Sequence, residues 1–402
     1  MRASVITVGN EIITGDIVDS NSKFLCGELN KLGYEIYNVI SVGDSSNAII
    51  DNVKQTLVNV DMLFITGGLG PTIDDITLEC VAKALDKSLI FDNNILLNIQ
   101  NRFNKLGRNM TQNNRKQAYK IEGSLVIDNN YGTASGSMIS VNNKKIFVFP
   151  GPPFELKMMF ESIRNYLQTE NVIKSILIRC IGIGESSLET KITDIISTDE
   201  IDYGIYANKQ YVDVKITAKN MSENIVDSLL LKYQKLLINR LGSYVYALDK
   251  NIVEVIIDIL KRKNETIAIA ESCSGGMLTS MFVNIDGVSH VLTEGVVTYN
   301  NQSKVTRLGV HNESLLKYGA VSEQVAKEMA SGVALNLNSD LGVSITGIAG
   351  ETVENNPTGL VYIGLSYRNK SFVKKLDLTG NRNTIRSLSC LNALEMIYDI
   401  IK

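Results

Sequence analysis

Apolar residues in the first 170 positions fall into two textures. Short unbroken runs, "ASVITV" and "DMLFIT", stand beside stretches in which apolar residues recur every three or four positions, as Phe24, Leu25, Leu29 and Leu32 do. A run that is apolar throughout predicts a strand covered on both faces, and the three-to-four spacing predicts an amphipathic helix. With "EIYNVISV" as the second strand, the order strand, helix, strand, helix, strand predicts a parallel sheet with right-handed crossovers. From about residue 171 to 248 the texture changes. "SILIRCIGIG", a helix through "ESSLETKITDII", the alternating "YVDVKITA" and a helix ending near "NRLGSYVYAL" predict a small α+β module. From 249 onward, a linking helix through "NIVEVIIDILKRK" leads into a second α/β pattern. Its strands are "TIAIA", "LGVSIT", "GLVYIGLSY" and "SFVKKLDL", and "TIRSLSCLNALEMIYDII" closes it as a helix. The expected class is α/β: two three-layer α/β domains with mainly parallel sheets (1–170 and 249–402), joined by a small α+β module (171–248).

Composition narrows the function. A chain of 402 residues is long enough for two or three separate cores. A formal net charge of -3, with lysines spread along the chain, gives no electrostatic footprint for nucleic acid or an acidic membrane. The five cysteines are odd in number and never form a C-x-x-C pair, which argues against a disulfide framework and a zinc site and for a reducing cytoplasm. No apolar run approaches the length of a membrane span. Small-molecule chemistry is the better starting point.

In a parallel sheet, ligands sit at the carboxyl ends of the strands. Here those ends carry "GNEIITGD", "GGLGPTIDD" and "PGPPFE" in the first domain. Gly67, Gly68, Gly70 and Thr72 offer close backbone approach to a pyrophosphate, and Asp74 and Asp75 can either hold a bridging divalent cation or cap the following helix. Glu11, Asp44 and Glu155 lie in neighbouring loops, and several carboxylates at one sheet end favour the metal. Gly132 and Thr133, in "GTASG", add a phosphate or pterin contact. In the last domain, "AESCSGG" sets Glu271, Ser272, Cys273, Ser274, Gly275 and Gly276 between a strand and a helix, where backbone N–H groups suit a phosphate or a developing oxyanion. A serine needs a base, the chain has two histidines in ordinary settings, and a buried lysine can serve instead. The bland alternative for the segment is a helix cap with a packed cysteine.

Taken in order, "AESCSGG", "VVTYNNQSK", "GAVSE" and "SITGIAG" resemble the C-terminal domain of the CinA family (competence/damage-inducible protein A). "GNEIITGDIVDSNS", "ITGGLGPTIDDIT", "YGTASG" and "FPGPPFELKMMF" resemble the same family's MoaB/MogA-like half. The resemblance spans nearly the whole chain. It implies a nicotinamide mononucleotide deamidase needing no cofactor, with Ser272 as nucleophile, Lys304 as base, and Tyr299 and Asn300 positioning Lys304 or the substrate. Thr346, Gly347, Ala349 and Gly350 would approach ribose or phosphate, and Arg382 and Arg386 would either neutralise the phosphate or sit on a solvated helix face. The family usually has Thr where Ser274 stands, so Ser274 is expected to touch ligand or cap the helix. The family also commonly continues "TGIAG" with Pro and a Gly-rich stretch. This chain has "ETVENNPTG", and Glu351 beside a phosphate is tolerable only facing solvent. For the first domain the resemblance implies metal-dependent hydrolysis of ADP-ribose, with molybdopterin binding or a partner role in competence as rivals. It further implies a homodimer and a KH-like middle module, whose missing GXXG clamp speaks against RNA.

Overall fold

The computed structural model describes residues 1–207, 211–350 and 357–402. Every residue of the strand Arg2–Val8 after Arg2 is buried, as its apolar run requires. It pairs in parallel with Glu35–Val42 on one side and Met62–Thr66 on the other, and Met62–Thr66 pairs in parallel with Lys144–Phe149. Two antiparallel strands, Gly136–Val141 and Leu125–Ile127, complete a six-stranded sheet. Ile49 and Val53 of the helix Ser46–Asn59, with Cys80 and Val81 of Thr77–Ala84, pack on one face. Leu25 and Leu29 of the helix Ser20–Lys31, with Leu156 and Phe160 of Pro153–Ile163, pack on the other. The result is three layers with loops at the carboxyl ends of the parallel strands.

The last domain repeats this logic. Its five-stranded sheet runs in the order Leu292–Val297, Ile267–Glu271, Leu341–Gly347, Leu360–Tyr367, Lys370–Asp377, the first three parallel and the last two antiparallel. One face buries Leu278, Phe282, Ile385 and Ile397, and the other Leu308, Val325, Met329 and Val333. The helix Ile252–Lys263, expected as a link, belongs to this core. Ile252, Ile256, Ile257 and Leu260 are buried in it, and Asn251 and Glu254 close its start with a reciprocal capping box.

Residues 172–248 hold a four-stranded sheet, with Val245–Leu248 antiparallel to Val172–Ile181, and the helices Glu185–Ile196 and Glu223–Leu241. Two of its strands, Asp202–Ala207 and Val245–Leu248, have no counterpart in the expected pattern. By compactness the chain divides into two units, Met1–Ser175 with Thr198–Asp202 and Thr217–Tyr233, and Ile176–Ser197 with Tyr203–Ile216 and Gln234–Lys402. The division runs through this middle module. Among the described residues, no helix is long and apolar enough to cross a membrane.

Candidate active site

The strand Ile267–Glu271 ends where its ladder still holds the next residue, since the Ser272 amide donates to Ile345 O at 2.9 Å. Glu271, fully buried, turns its carboxylate onto the amides that follow. Oε2 accepts from Gly276 N (3.0 Å) and Leu278 N (3.1 Å), and Oε1 from Thr279 N and Thr279 Oγ1, both at 2.7 Å. Gly275 (φ 63°) and Gly276 (φ 91°) supply the left-handed turn that lets the chain reverse over this carboxylate. The first amides of the helix Met277–Val283 are thereby engaged inside the protein, so the expected use of this helix start as an anion site does not stand.

The same turn fixes Ser272. Thr298 N donates to Glu271 O at 2.8 Å, and Thr298 O in turn accepts from Lys304 Nζ at 2.8 Å. Lys304 Nζ also donates to Tyr299 O at 3.4 Å and lies 3.1 Å from Ser272 Oγ. Lys304 is 1% exposed and Ser272 8%. Burial lowers the Lys304 ammonium from 10.5 to about 8, because the charged form loses its water and the two carbonyls only partly replace it. Burial pushes the neighbouring Cys273 thiol up to about 11, so that side chain stays a thiol at neutral pH and is no thiolate nucleophile.

Ser272, Cys273, Tyr299, Lys304, Thr346, Gly347, Ala349, Gly350 and Arg382 line one cavity of about 430 Å³. Other expected members stand elsewhere. Asn300 caps the helix Asn301–Leu308, accepting from Ser303 N at 2.7 Å, and the cavity wall is its neighbour Asn301. Ser274 neither lines the cavity nor caps a helix. It is fully buried, its Oγ has no partner among the described residues, and its carbonyl accepts from Arg386 Nη2 at 2.8 Å. Arg386 does not line the cavity; half-buried, it braces the turn. Arg382 does reach the cavity and donates to the Tyr299 hydroxyl at 3.0 Å, while Tyr299 itself is a 63% exposed rim residue. Glu351 lies outside the described residues.

In the first domain, Gly67, Gly68, Gly70, Glu11, Asp44, Asp74, Asp75, Thr133 and Glu155 line a cavity of about 540 Å³ at the carboxyl ends of the strands. Asp74 and Asp75 do not cap the helix Thr77–Ala84, whose N-cap position is Ile76 with no side-chain bond. Both accept instead from the Thr72 hydroxyl, and Asp75 also from Thr72 N at 2.9 Å. Thr72 thus holds the carboxylates and does not line the cavity. Gly132 likewise stands just outside, pressed against Glu155, whose Oε2 accepts from Asn129 Nδ2 at 2.7 Å. Burial, and then the carboxylates of Glu11, Asp74 and Asp75, push the Asp44 carboxyl up, against the pull of the Asn10 N–H. The five carboxylates share one cavity, but among the described residues no three of them form a ready-made metal-binding group. The Thr72 bonds to Asp74 and Asp75 and the Asn129 bond to Glu155 each commit a carboxylate oxygen to the protein. The donor set is all carboxylate oxygen, which is the chemistry that fits a hard divalent cation.

A CinA-like protein of Kosmotoga olearia is 40% identical over 99% of this chain and 98% of its own length. The chain belongs to the CinA family. A putative competence-damage inducible protein of Clostridium beijerinckii is 42% identical over the full length of both. Residues 4–169 match the family described as probable molybdopterin binding domain, 175–247 the damage-inducible protein CinA KH domain, and 249–401 the CinA C-terminal domain. A crystal structure of a CinA protein from Thermoplasma acidophilum is 32% identical, covering 42% of this chain and all of that one, with a TM-score of 0.40.

Several cavity residues of this CinA chain are absent from the sequence reading. Ala320 and Val321 in the C-terminal cavity belong to "GAVSE", and Asp19 and Asn21 in the N-terminal one to "DIVDSNS". Both motifs carry the CinA resemblance, so the signal was present as a motif without a residue attached. Gln117 gives no such signal. It lines the N-terminal cavity and donates to Leu69 O at 3.1 Å from 48 residues away.

Proposed function

We propose that this CinA-family protein hydrolyses the carboxamide of nicotinamide mononucleotide to nicotinate mononucleotide and ammonia in its C-terminal domain. The observation that carries the reading is Lys304 Nζ, buried and 3.1 Å from Ser272 Oγ at the wall of a 430 Å³ cavity. With Lys304 neutral, the Ser272 hydroxyl proton passes to Nζ as Oγ attacks the carboxamide carbon. Lys304 then returns that proton to the amide nitrogen, which leaves as ammonia. Water, deprotonated by Lys304, cleaves the acyl-enzyme and regenerates Ser272. Arg382 occupies the first position of the 20-residue helix Arg382–Ile401, where a cation opposes the helix dipole unless an anion joins it, and this supports phosphate binding at that wall. Ammonia release by wild type beside Ser272→Ala and Lys304→Ala, with folding checked by thermal melt, tests the reading. A folded wild type that releases none would sink it.

For the N-terminal domain the proposal is metal-dependent hydrolysis of ADP-ribose to AMP and ribose 5-phosphate. A divalent cation bound there would offset the pyrophosphate charge and activate it toward water. Its ligands would come from among Asp44, Asp74, Asp75, Glu11 and Glu155, which line one cavity without being gathered round a single point, with Thr72 fixing the two aspartates. Gly67, Gly68 and Gly70 leave the backbone open to the diphosphate. The match of residues 4–169 to a molybdopterin-binding family favours a second reading, a pterin-binding protein with an inactive C-terminal domain. It predicts tight pterin binding and no ammonia.

A further inference from the structure

A second cavity, about 390 Å³, opens in the N-terminal domain between the helix Asn93–Lys105 and the loop 128–135. It meets the acidic cavity at Thr133, which lines both. The wall between them is built. Asn129 donates to Glu155 Oε2 (2.7 Å) and Ala134 O (2.9 Å) and accepts from Tyr131 N (3.0 Å) and Gly132 N (2.8 Å), so its amide is fully used. Arg102 clamps the same loop from the helix, donating to Asn130 O at 2.6 Å and to Tyr131 O. Against this braced wall, Asn98, Asn101, Lys105, Asp128 and Ser135 line the cavity, and among the described residues none of these side chains has a hydrogen-bond or ion-pair partner.

Two amides, a hydroxyl, a carboxylate and an ammonium together present donors and acceptors in near balance. That is the chemistry that reads a polyhydroxyl group, since each sugar hydroxyl both donates and accepts. The acidic cavity has a different lining, with Ile12, Ile17, Val18, Leu69 and Pro71 beside its carboxylates, which suits a flat base next to a metal-bound diphosphate. We infer that the cavity between Asn93–Lys105 and the loop 128–135 is the subsite for the terminal sugar of a nucleoside diphosphate sugar, whose diphosphate passes Thr133. This rests on the ADP-ribose reading and deepens it to a class: the sugar end of the substrate is recognised as well as its diphosphate.

The test uses the full chain with Mg²⁺ and calorimetric binding of ADP-ribose and of ADP, which lacks the second sugar, both as α,β-methylene analogues whose P–C–P bridge is not hydrolysed. Wild type is expected to bind ADP-ribose about tenfold or more tighter than ADP. The triple variant Asn98→Ala, Asn101→Ala, Asp128→Ala, all at exposed positions, should bring ADP-ribose to the ADP value and leave ADP unchanged. If the variant keeps the wild-type preference for ADP-ribose, or wild type shows no preference, the sugar subsite is wrong while the ADP-ribose reading stands. If wild type binds neither ligand, the ADP-ribose reading itself falls and takes the subsite with it.

Discussion

The two candidate sites of this protein follow one architectural rule and differ in their electrostatics. Each lies at the carboxyl ends of parallel strands. In the C-terminal cavity the chain brings nucleophile and base to 3.1 Å and lowers the base by burial alone. In the N-terminal cavity six carboxylates, Asp19 among them, share the lining, and burial first and then the charges of Glu11, Asp74 and Asp75 push Asp44 up. The contrast shows two uses of a costly ionisable group. A single buried cation is tuned toward neutrality, whereas several carboxylates drawn into one cavity call for a counter-charge.

The sharpest way to break the comparison is to remove the nucleophile. Ser272→Ala should lower ammonia release from nicotinamide mononucleotide by roughly 10³-fold or more without touching ADP-ribose hydrolysis. If both activities fall together in a folded variant, the two sites are not independent and the contrast fails. Removing Lys304 is the next largest effect. Lys304→Met should cost about 10²–10⁴ in kcat, and the wild-type rate should climb with pH and level off above about 8 as the amine loses its proton. A flat profile from pH 6 to 9 would exclude the base role.

The same substitution carries a stability signature. In the unfolded chain the ammonium titrates near 10.5, and in the fold near 8. Below pH 8 both states are protonated and the fold bears the full desolvation cost, ~3 kcal/mol for a shift of that size. The cost fades between about 8 and 10.5 and is gone above. Lys304→Met should therefore melt higher than wild type at pH 7, with the gap shrinking by pH 10. The donors lost to Thr298 O and Tyr299 O offset part of the gain.

Chelation should separate the cavities in the opposite sense. Excess EDTA is expected to reduce ADP-ribose hydrolysis by about 10²-fold or more and to leave ammonia release intact. Loss of ammonia release under chelation would mean the C-terminal chemistry also depends on a metal.

Much of this contrast is legible in the sequence, and what is not has a common cause. Alternating apolar runs and helical spacing place the strands Arg2–Val8, Met62–Thr66 and Ile267–Glu271, and with them the loops at their ends. The Ser272 and Lys304 pairing came through resemblance, because nothing local in "YNNQSK" says that its lysine folds back 32 residues onto a serine. Nothing local in "AESCSGG" announces the role of Glu271. Only the reversal at Gly275 and Gly276 turns it onto the amides of Gly276, Leu278 and Thr279. Arg386 braces Ser274 across 112 residues, and Lys116 donates to Thr72 O across 44, contacts with no periodicity to betray them. The strands Asp202–Ala207 and Leu125–Ile127 went unread because short strands with mixed exposure offer little alternation to count.

Glu271 gives the next prediction, one of stability and positioning. Glu271→Gln replaces one acceptor oxygen with an NH₂ that must face N–H donors, so the C-terminal domain should lose about 2 kcal/mol, read as a lower melting temperature. Ammonia release should fall through kcat more than KM, because the turn that presents Ser272 loosens. An unchanged melt would mean the four bonds to Glu271 contribute little and the turn is held by its glycines and Arg386.

The smallest expected effect tests the N-terminal half of the comparison most directly. Asp44 feels the like charge of three neighbours, and among the described residues its carboxylate accepts only from Asn10 N. Without metal, Asp44→Asn removes one member of the repelling set and keeps the shape. The melting temperature in EDTA should then rise by about 1–3 °C, the size expected for a relief below 1 kcal/mol in a domain of this length. With Mg²⁺ the order should reverse. Wild type gains stability from the cation by mass action, and the variant, with one ligand charge fewer, gains less. The crossing of the two curves between EDTA and Mg²⁺ is the diagnostic. Parallel shifts, or no Mg²⁺ effect on wild type, would mean the carboxylates are solvated surface charges and that the N-terminal cavity binds its ligand without a bridging cation.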